Sequence, residues 1–265
     1  MPAHTLLPYT LLPLFPLTKA TFPRLLALCP NPLTAKRYTT AAPPPSVTFD
    51  NLTLDLFRAR LADPNVGPQV RFKYADNVKE AAILVPLCVV DGKASVLFTL
   101  RSGNMRSHKG EISLVPSDHN MFWPSISSRP SKKKFNLAIY PILDPEDPTL
   151  LSTALRETQE EISLPSSAID ILGESQPVPD KSRTLRVHPF VGFVRDPVIL
   201  QSVVFNPSEV QRVFAIDMDH LLNPANRKMI KFRDSKIMYP SIKTPEDLGI
   251  DGDVWGLTAF VLDGR

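Results

Sequence analysis

No aspartate or glutamate occurs before Asp50, although the chain holds 27 of them in its 265 residues. The opening stretch is instead basic at Lys19, Arg24, Lys36 and Arg37, and Leu, Ser and Thr recur through it. An acid-poor, basic segment with apolar stretches has the composition of an organelle transit peptide. It predicts mitochondrial import, with a peroxisomal or cytoplasmic location as the alternatives. An unbroken apolar run is also missing. Residues 6–28 are apolar on average, yet Pro8, Pro13, Pro16 and Pro23 interrupt them, as do Lys19 and Arg24. Such a stretch does not form the helix of about 20 residues that a bilayer requires, which argues against a stable membrane span. A secretory signal, with its single continuous apolar core, is disfavoured for the same reason.

Cysteine is nearly absent. Cys29 and Cys88 are the only two, too few for a disulfide framework and without zinc-ligand spacing, so both are expected as free thiols. Neither sign of charge is in marked excess. A formal net charge of +3 does not argue for a nucleic-acid partner, and the one basic run, Lys132-Lys133-Lys134, reads as a solvated loop. Proline is the exception, at 28 residues, more than one compact domain normally carries. Many fall before residue 46, which predicts an extended or disordered leader over 1–48 and one domain over 49–265.

Several elements of that domain follow from spacing. Residues 51–63 (NLTLDLFRARLAD) place apolar side chains near helical spacing, and Asp50 is positioned to cap them. Residues 81–100 read as two strands joined at Asp91-Gly92, a short hairpin turn. Pro86 assigns the first of them to a sheet edge or a bulge. Residues 101–113 are a polar loop. The clearest helix spans 147–164, with Asp147 as its N-cap, Pro148 in the first turn and Pro165 as its stop. Residues 187–194 (VHPFVGFV) and 198–205 read as strands, 207–216 fit a helix or an extended segment, and 253–263 read as a closing helix. Strands interleaved with helices predict a mixed α/β sandwich.

The helix over 147–164 carries the densest chemistry. At about 100° per residue, Leu151, Leu155, Thr158 and Ile162 share one face, while Glu157, Glu160 and Glu161 gather roughly 140° away. Like charges at this spacing destabilise an isolated helix by a few tenths of a kcal/mol per pair. The cluster is either a solvated acidic face or a site for a cation. Carboxylate oxygens alone suit Mg²⁺ or Mn²⁺.

The residues from Arg156 through Glu157, Glu160 and Glu161 to Leu164 (RETQEEISL) resemble the second half of the Nudix box, Arg-Glu-apolar-any-Glu-Glu-any-Gly-apolar. Thr158 stands where an aliphatic residue is usual, and Ser163 where glycine is usual. Upstream, Leu97-Phe98-Thr99-Leu100-Arg101-Ser102, then Arg106 and Gly110, are similar to the accessory motif of the coenzyme A diphosphatase branch of Nudix hydrolases. The resemblance implies the Nudix fold, a mixed β-sheet sandwiched between α-helices. It also implies a small-molecule substrate, the diphosphate of coenzyme A or a derivative, cleaved to adenosine 3′,5′-bisphosphate and a 4′-phosphopantetheine product. In that reading Glu157, Glu160 and Glu161 hold Mg²⁺ or Mn²⁺, and Glu160 doubles as a water-orienting base. Arg101 and Arg106 pair with phosphates, whereas Arg156 anchors the helix.

One departure stands out. After Gly110-Glu111-Ile112-Ser113 the branch pattern continues into Phe-Pro-Gly-Gly. Here residues 114–142 follow instead, and the two glycines are missing. That segment is either a loop insertion or intron-derived sequence standing in for the glycine loop. Its presence leaves two alternatives open, hydrolysis of another nucleoside diphosphate derivative and a Nudix-like protein that binds without cleaving. Among single residues, His188 reads as a packed strand histidine, Glu209 as a helix-start residue with an additional acidic residue near the metal as the alternative, and His108 as an exposed loop residue with contact to substrate as the alternative.

Overall fold

The chain's computed structural model describes residues 46–63, 72–102, 112–114, 147–180, 182–231 and 238–263. Cys29, Arg106, His108, Lys132-Lys133-Lys134, nearly all of the leader and all of 114–142 except Leu114 lie outside the described residues.

Two strands organise everything else. β1 (Lys79–Val90) and β2 (Lys93–Arg101) form the expected hairpin, with Val90 paired to Lys93. At its tip Asp91 and Gly92 both take positive φ, 50° and 74°, the backbone whose twist suits paired strands. β1 also runs parallel to β6 (Leu185–Val194). The main sheet therefore follows the order β3-β2-β1-β6-β4, with β3 (Ile112–Ser113) and β4 (Ile169–Glu174) at its ends. β5 (Val178–Pro179) joins β6, and β7 (Val210–Asp217) lies antiparallel along β2.

β1 as a whole is thus a central strand, although at Pro86 it is paired on one side only. Pro86 sits opposite Gly192 in the parallel β6 register, while the ladder to β2 runs only from Leu87 to Val90. The proline precedes the first β1–β2 pair, so that ladder loses no bond to it.

From Ala81 to Cys88 every residue of β1 is buried, because helices cover both faces of the sheet. Ala81, Ile83, Val85 and Leu87 share a core with Leu54 and Phe57 of α1 (Asn51–Ala62) and with Leu257 and Leu262 of α4 (Gly256–Asp263). Ala82, Leu84 and Cys88 point the other way, against Ala154 and Ile162 of α2 (Leu150–Ile162). Successive strand side chains alternate faces, so a continuous apolar run is what a sheet covered on both sides needs. The sandwich of a mixed sheet between helices is the architecture expected above.

α1 begins where expected, with Asp50 Oδ1 accepting from the Thr53 N–H at 2.7 Å. It is tied to β4 through an Arg58–Asp170 ion pair. Upstream, the Val47 N–H donates to Asp219 Oδ1 at 3.1 Å, and Phe49 packs edge-on against Phe57 and Phe193. Residues 198–205 are not a strand. Asp196 caps a 3-10 turn over Pro197–Ser202, and Val198 and Val204 are exposed. The 207–216 ambiguity resolves as the extended β7. The closing segment splits into β10 (Val254–Trp255) and α4, with Gly256 at φ 67° between them. β10, β9 (Met238–Ile242) and β8 (Arg227–Lys231) make a second small sheet that composition and spacing do not reveal. A five-residue helix, α3 (Met218–Leu222), follows β7.

Candidate functional site

α2 starts two residues later than the sequence suggests. Thr149, not Asp147, is its N-cap, its side chain accepting from the Ser152 N–H at 3.1 Å. At the other end the helix stops at Ile162, and Ser163 adopts φ 54°, its N–H bonded to the Gln159 carbonyl at 2.9 Å. The position where glycine is usual is therefore a left-handed cap, which serine occupies at some steric cost.

The glutamates do not form one exposed face. The sheet-facing stripe comprises Thr153, Ala154, Glu157, Thr158, Glu161 and Ile162, all buried, whereas Leu151 and Leu155 are only half-buried. Glu157 is 5% exposed and Glu161 1%, while the Glu160 side chain is 57% exposed. The helix is rolled about its axis relative to the apolar face read from spacing. Two polar residues allow this roll. Thr158 donates its hydroxyl to the Ala154 carbonyl at 2.7 Å, so it packs like an aliphatic residue without leaving a polar atom unsatisfied. Thr153 does the same with the Thr149 carbonyl at 3.3 Å.

Arg156 meets three carboxylates. Its Nη2 lies 3.0 Å from Asp147 and 2.8 Å from Glu157, and its Nη1 lies 3.1 Å from Glu160. The bond to Asp147, first among these, holds the guanidinium firmly protonated. The same bond pulls the Asp147 carboxyl below its ordinary range. Arg156 thus anchors α2 to the segment before it, as anticipated. An open groove of about 440 Å³ runs along this outer side, lined by Asp147, Arg156, Gln159 and Glu160 among others.

Arg101 is not a loop residue. It ends β2 and is 1% exposed, at a register shift opposite Val210 of β7. The next residue, Ser102, donates its N–H to the Glu209 carbonyl at 2.8 Å. On the far side of the same turn, the Asn206 N–H donates to the Glu161 carbonyl at 2.8 Å. The turn over 206–209 therefore joins the end of the glutamate helix to the end of the Arg101 strand. Glu209 lies in this turn, half-buried, not at a helix start. Nearby on β2 the Thr99 hydroxyl is 3.1 Å from the Ser113 hydroxyl, which donates to the Leu114 carbonyl at 2.7 Å.

The site residues thus divide. Glu157, Glu161 and Arg101 are buried and linked through 206–209, Glu160 is exposed beside Arg156, and Arg106 lies outside the described residues. His188 belongs elsewhere, between Glu174 and Glu80 on the sheet. Among the described residues no three His, Cys, Asp or Glu side chains come together closely enough to hold a metal ion. Two oxygen-only carboxylates one turn apart still suit Mg²⁺, which commonly takes one or two carboxylates and completes its shell with water and substrate phosphate. Among the described residues no helix is long and apolar enough to cross a membrane.

No protein-family model matches the chain. It is 32% identical to Nudix hydrolase 3 of Caenorhabditis elegans over 193 residues, 68% of this chain and 69% of that protein. It is 35% identical to the mitochondrial coenzyme A diphosphatase NUDT8 of Mus musculus over 184 residues, 69% of this chain and 74% of that protein. Among solved structures, a Nudix hydrolase from M. smegmatis, RenU, aligns at 16% identity with a TM-score of 0.37. That alignment covers 57% of this chain and 76% of the other.

Proposed function

The chain belongs to the Nudix hydrolase family, and on that premise we propose that it cleaves the diphosphate bond of coenzyme A or a derivative in the presence of Mg²⁺ or Mn²⁺. The products are adenosine 3′,5′-bisphosphate and a 4′-phosphopantetheine compound. The observation that carries this reading is the pair of buried carboxylates, Glu157 and Glu161, tied through 206–209 to the strand that ends in Arg101. The coenzyme A assignment has separate support, the accessory motif from Leu97 to Ser102 and the activity for which the mouse relative is named.

Each residue has a role in this reading. Glu157 and Glu161 hold the divalent ion. When bound, that ion neutralises charge on the diphosphate and lowers the pKa of an attacking water. Glu160, on the solvent side and steadied by Arg156, orients the water and accepts its proton. Arg101 and Arg106 pair with phosphate oxygens through their planar guanidinium groups. Burial of the two ligands matters, because charge interactions weaken less there than in open water.

Residence in the mitochondrion belongs to the same proposal, supported by the acid-poor leader and by the name of the relative. A fluorescent fusion of residues 1–48 tests it by where the fluorescence collects.

The deciding experiment is hydrolysis of coenzyme A and, in parallel, ADP-ribose, by the full chain with Mg²⁺ or Mn²⁺ and a Glu161→Gln control. A second version carries Phe-Pro-Gly-Gly-Lys in place of 114–142. Turnover of coenzyme A by the chain as it stands, abolished in Glu161→Gln, supports the reading. Turnover only by the second version makes this chain a silent relative, and preference for ADP-ribose overturns the substrate.

A further inference from the structure

Asn206 makes contacts that the family resemblance does not assign to any function. Its carboxamide is oriented from one side. Oδ1 accepts from the Ser208 N–H at 3.1 Å and from the Ser208 hydroxyl at 2.7 Å. With the oxygen so committed, Nδ2 faces the other way and donates to Glu209 Oε1 at 3.3 Å. Two donors on one oxygen leave no room for the flipped amide, so the direction of the Nδ2 donor follows from the turn itself.

The backbone of the same residue is equally engaged. Its N–H holds the Glu161 carbonyl at 2.8 Å, and its carbonyl accepts from the Glu209 and Val210 N–H groups at 3.1 and 2.8 Å. One residue thus fixes the end of the glutamate helix, the backbone of the following turn and the side chain of Glu209. The turn is closed on its far side by Ser102, next to Arg101.

We infer that Asn206 is a positioning residue of the candidate site, setting the Glu209 carboxylate in register with Glu161 and Arg101. The inference rests on the functional reading above, and it adds a control point that acts through another side chain. Glu209 sits half-buried in the turn whose backbone meets both Glu161 and Ser102, and a neutral donor to Oε1 helps set the direction in which its carboxylate points. Asn206 supplies that donor without adding charge.

Three substitutions separate steering from folding. Asn206→Ser keeps a short oxygen for the Ser208 N–H, adds no charge and does not reach Glu209. Asn206→Asp keeps the full acceptor for Ser208 and sets like charge against Glu209. Glu209→Gln removes the steered charge. The full chain and these variants are compared in coenzyme A hydrolysis, in calorimetric titration with Mn²⁺ alone and in melting temperature. Losing a group that orients a ligand typically costs about 10- to 100-fold in metal affinity or activity.

The expected result for Asn206→Ser is a kcat about 10-fold lower with KM within about twofold, Mn²⁺ binding about 10-fold weaker and a nearly unchanged melting temperature. Asn206→Asp lowers kcat at least as far. The Asn206→Ser/Glu209→Gln double variant is no worse than Glu209→Gln, because both substitutions remove one interaction. Wild-type kcat and Mn²⁺ affinity in Asn206→Ser overturn the inference, and so do losses that multiply in the double variant. If Asn206→Ser melts early, Asn206→Asp decides, and wild-type activity there overturns the inference. If the wild-type chain leaves coenzyme A intact, the functional reading fails on its own. The Mn²⁺ titration then still decides Asn206, and no Mn²⁺ binding by the wild type overturns both.

Discussion

Arg156 reaches back nine residues to Asp147, its Nε and Nη2 both donating to Oδ2, at 3.2 and 3.0 Å. The pair closes the segment before α2 onto the outside of the helix, and the same guanidinium serves Glu157 and Glu160. Removing it deprives a partly buried carboxylate and a buried one of a shared cation. Arg156→Gln is expected to lower unfolding free energy by about 1.5–3 kcal/mol, the range for hydrogen bonds to charged groups. Urea denaturation at neutral pH measures it.

Acid tests the same pair. The Arg156 bond holds the folded-state Asp147 carboxyl below its ordinary value of 3.8. A depressed pKa contributes stability above the unfolded value and loses it as pH falls through the folded one. The stability gap between wild type and Arg156→Gln should therefore be constant above pH 5 and narrow below 3.8. A gap that stays constant into strong acid removes Asp147 as the partner that matters.

His188 gives the opposite sign. Its Nδ1 lies 2.6 Å from Glu174 and its Nε2 2.7 Å from Glu80, and only the doubly protonated ring donates to both. Burial alone lowers the imidazolium pKa, but the bonds to Glu174 and Glu80 outweigh it and raise the group above 6.5. A raised pKa stabilises the fold below 6.5 and loses its effect as pH rises through the folded value. His188→Gln should thus cost more stability at pH 6 than at pH 9. Equal losses at the two values would show that the ring is held neutral.

Ser163 sits at φ 54° where the Nudix box pattern has glycine. A left-handed residue with a Cβ is strained by roughly 1 kcal/mol, partly balanced by the extra freedom of glycine in the unfolded chain. Ser163→Gly should raise stability by about 0.5 kcal/mol, and a β-branched residue there should lower it. Thermal melts of Ser163→Gly and Ser163→Val give the order directly.

Gly192 is needed for space. A Cβ there would stand 2.5 Å from Ile169 Cγ2, in the middle of β6 where it pairs with Pro86 and Ile171. Gly192→Ala should destabilise by about 1–3 kcal/mol, the range for overpacking. Adding Ile169→Ala should recover part of the clash, although that change opens a cavity of its own. No recovery in the double variant would locate the strain in the backbone.

Much of this protein was readable along the chain. The Asp91-Gly92 hairpin, α1 with its Asp50 cap, the β6 strand and the glutamate helix all rest on local rules: turn geometry, capping and the period of apolar side chains. The candidate residues Arg101, Glu157, Glu160 and Glu161 likewise stand in motifs visible along the chain. Where local rules failed, a tertiary contact had taken over. Asp147 was drawn from capping by Arg156, Pro86 was accommodated inside a shared strand, and residues 198–205 turned away from the sheet under Asp196.

By itself the sequence determined which residues carry charge and where the β1–β2 hairpin, α1, the glutamate helix and β6 run, because these follow from turn geometry, capping and the 3.6 and 2.0 periodicities. Tertiary structure alone decided the roll of α2, since the buried sector depends on what packs beneath it, and Thr158 and Thr153 satisfy their hydroxyls within the helix. That roll buries Glu157 and Glu161 and exposes Glu160. Tertiary structure also brings Asn206, more than forty residues further along, against the Glu161 carbonyl at the end of the helix, a contact between distant segments that no local pattern encodes.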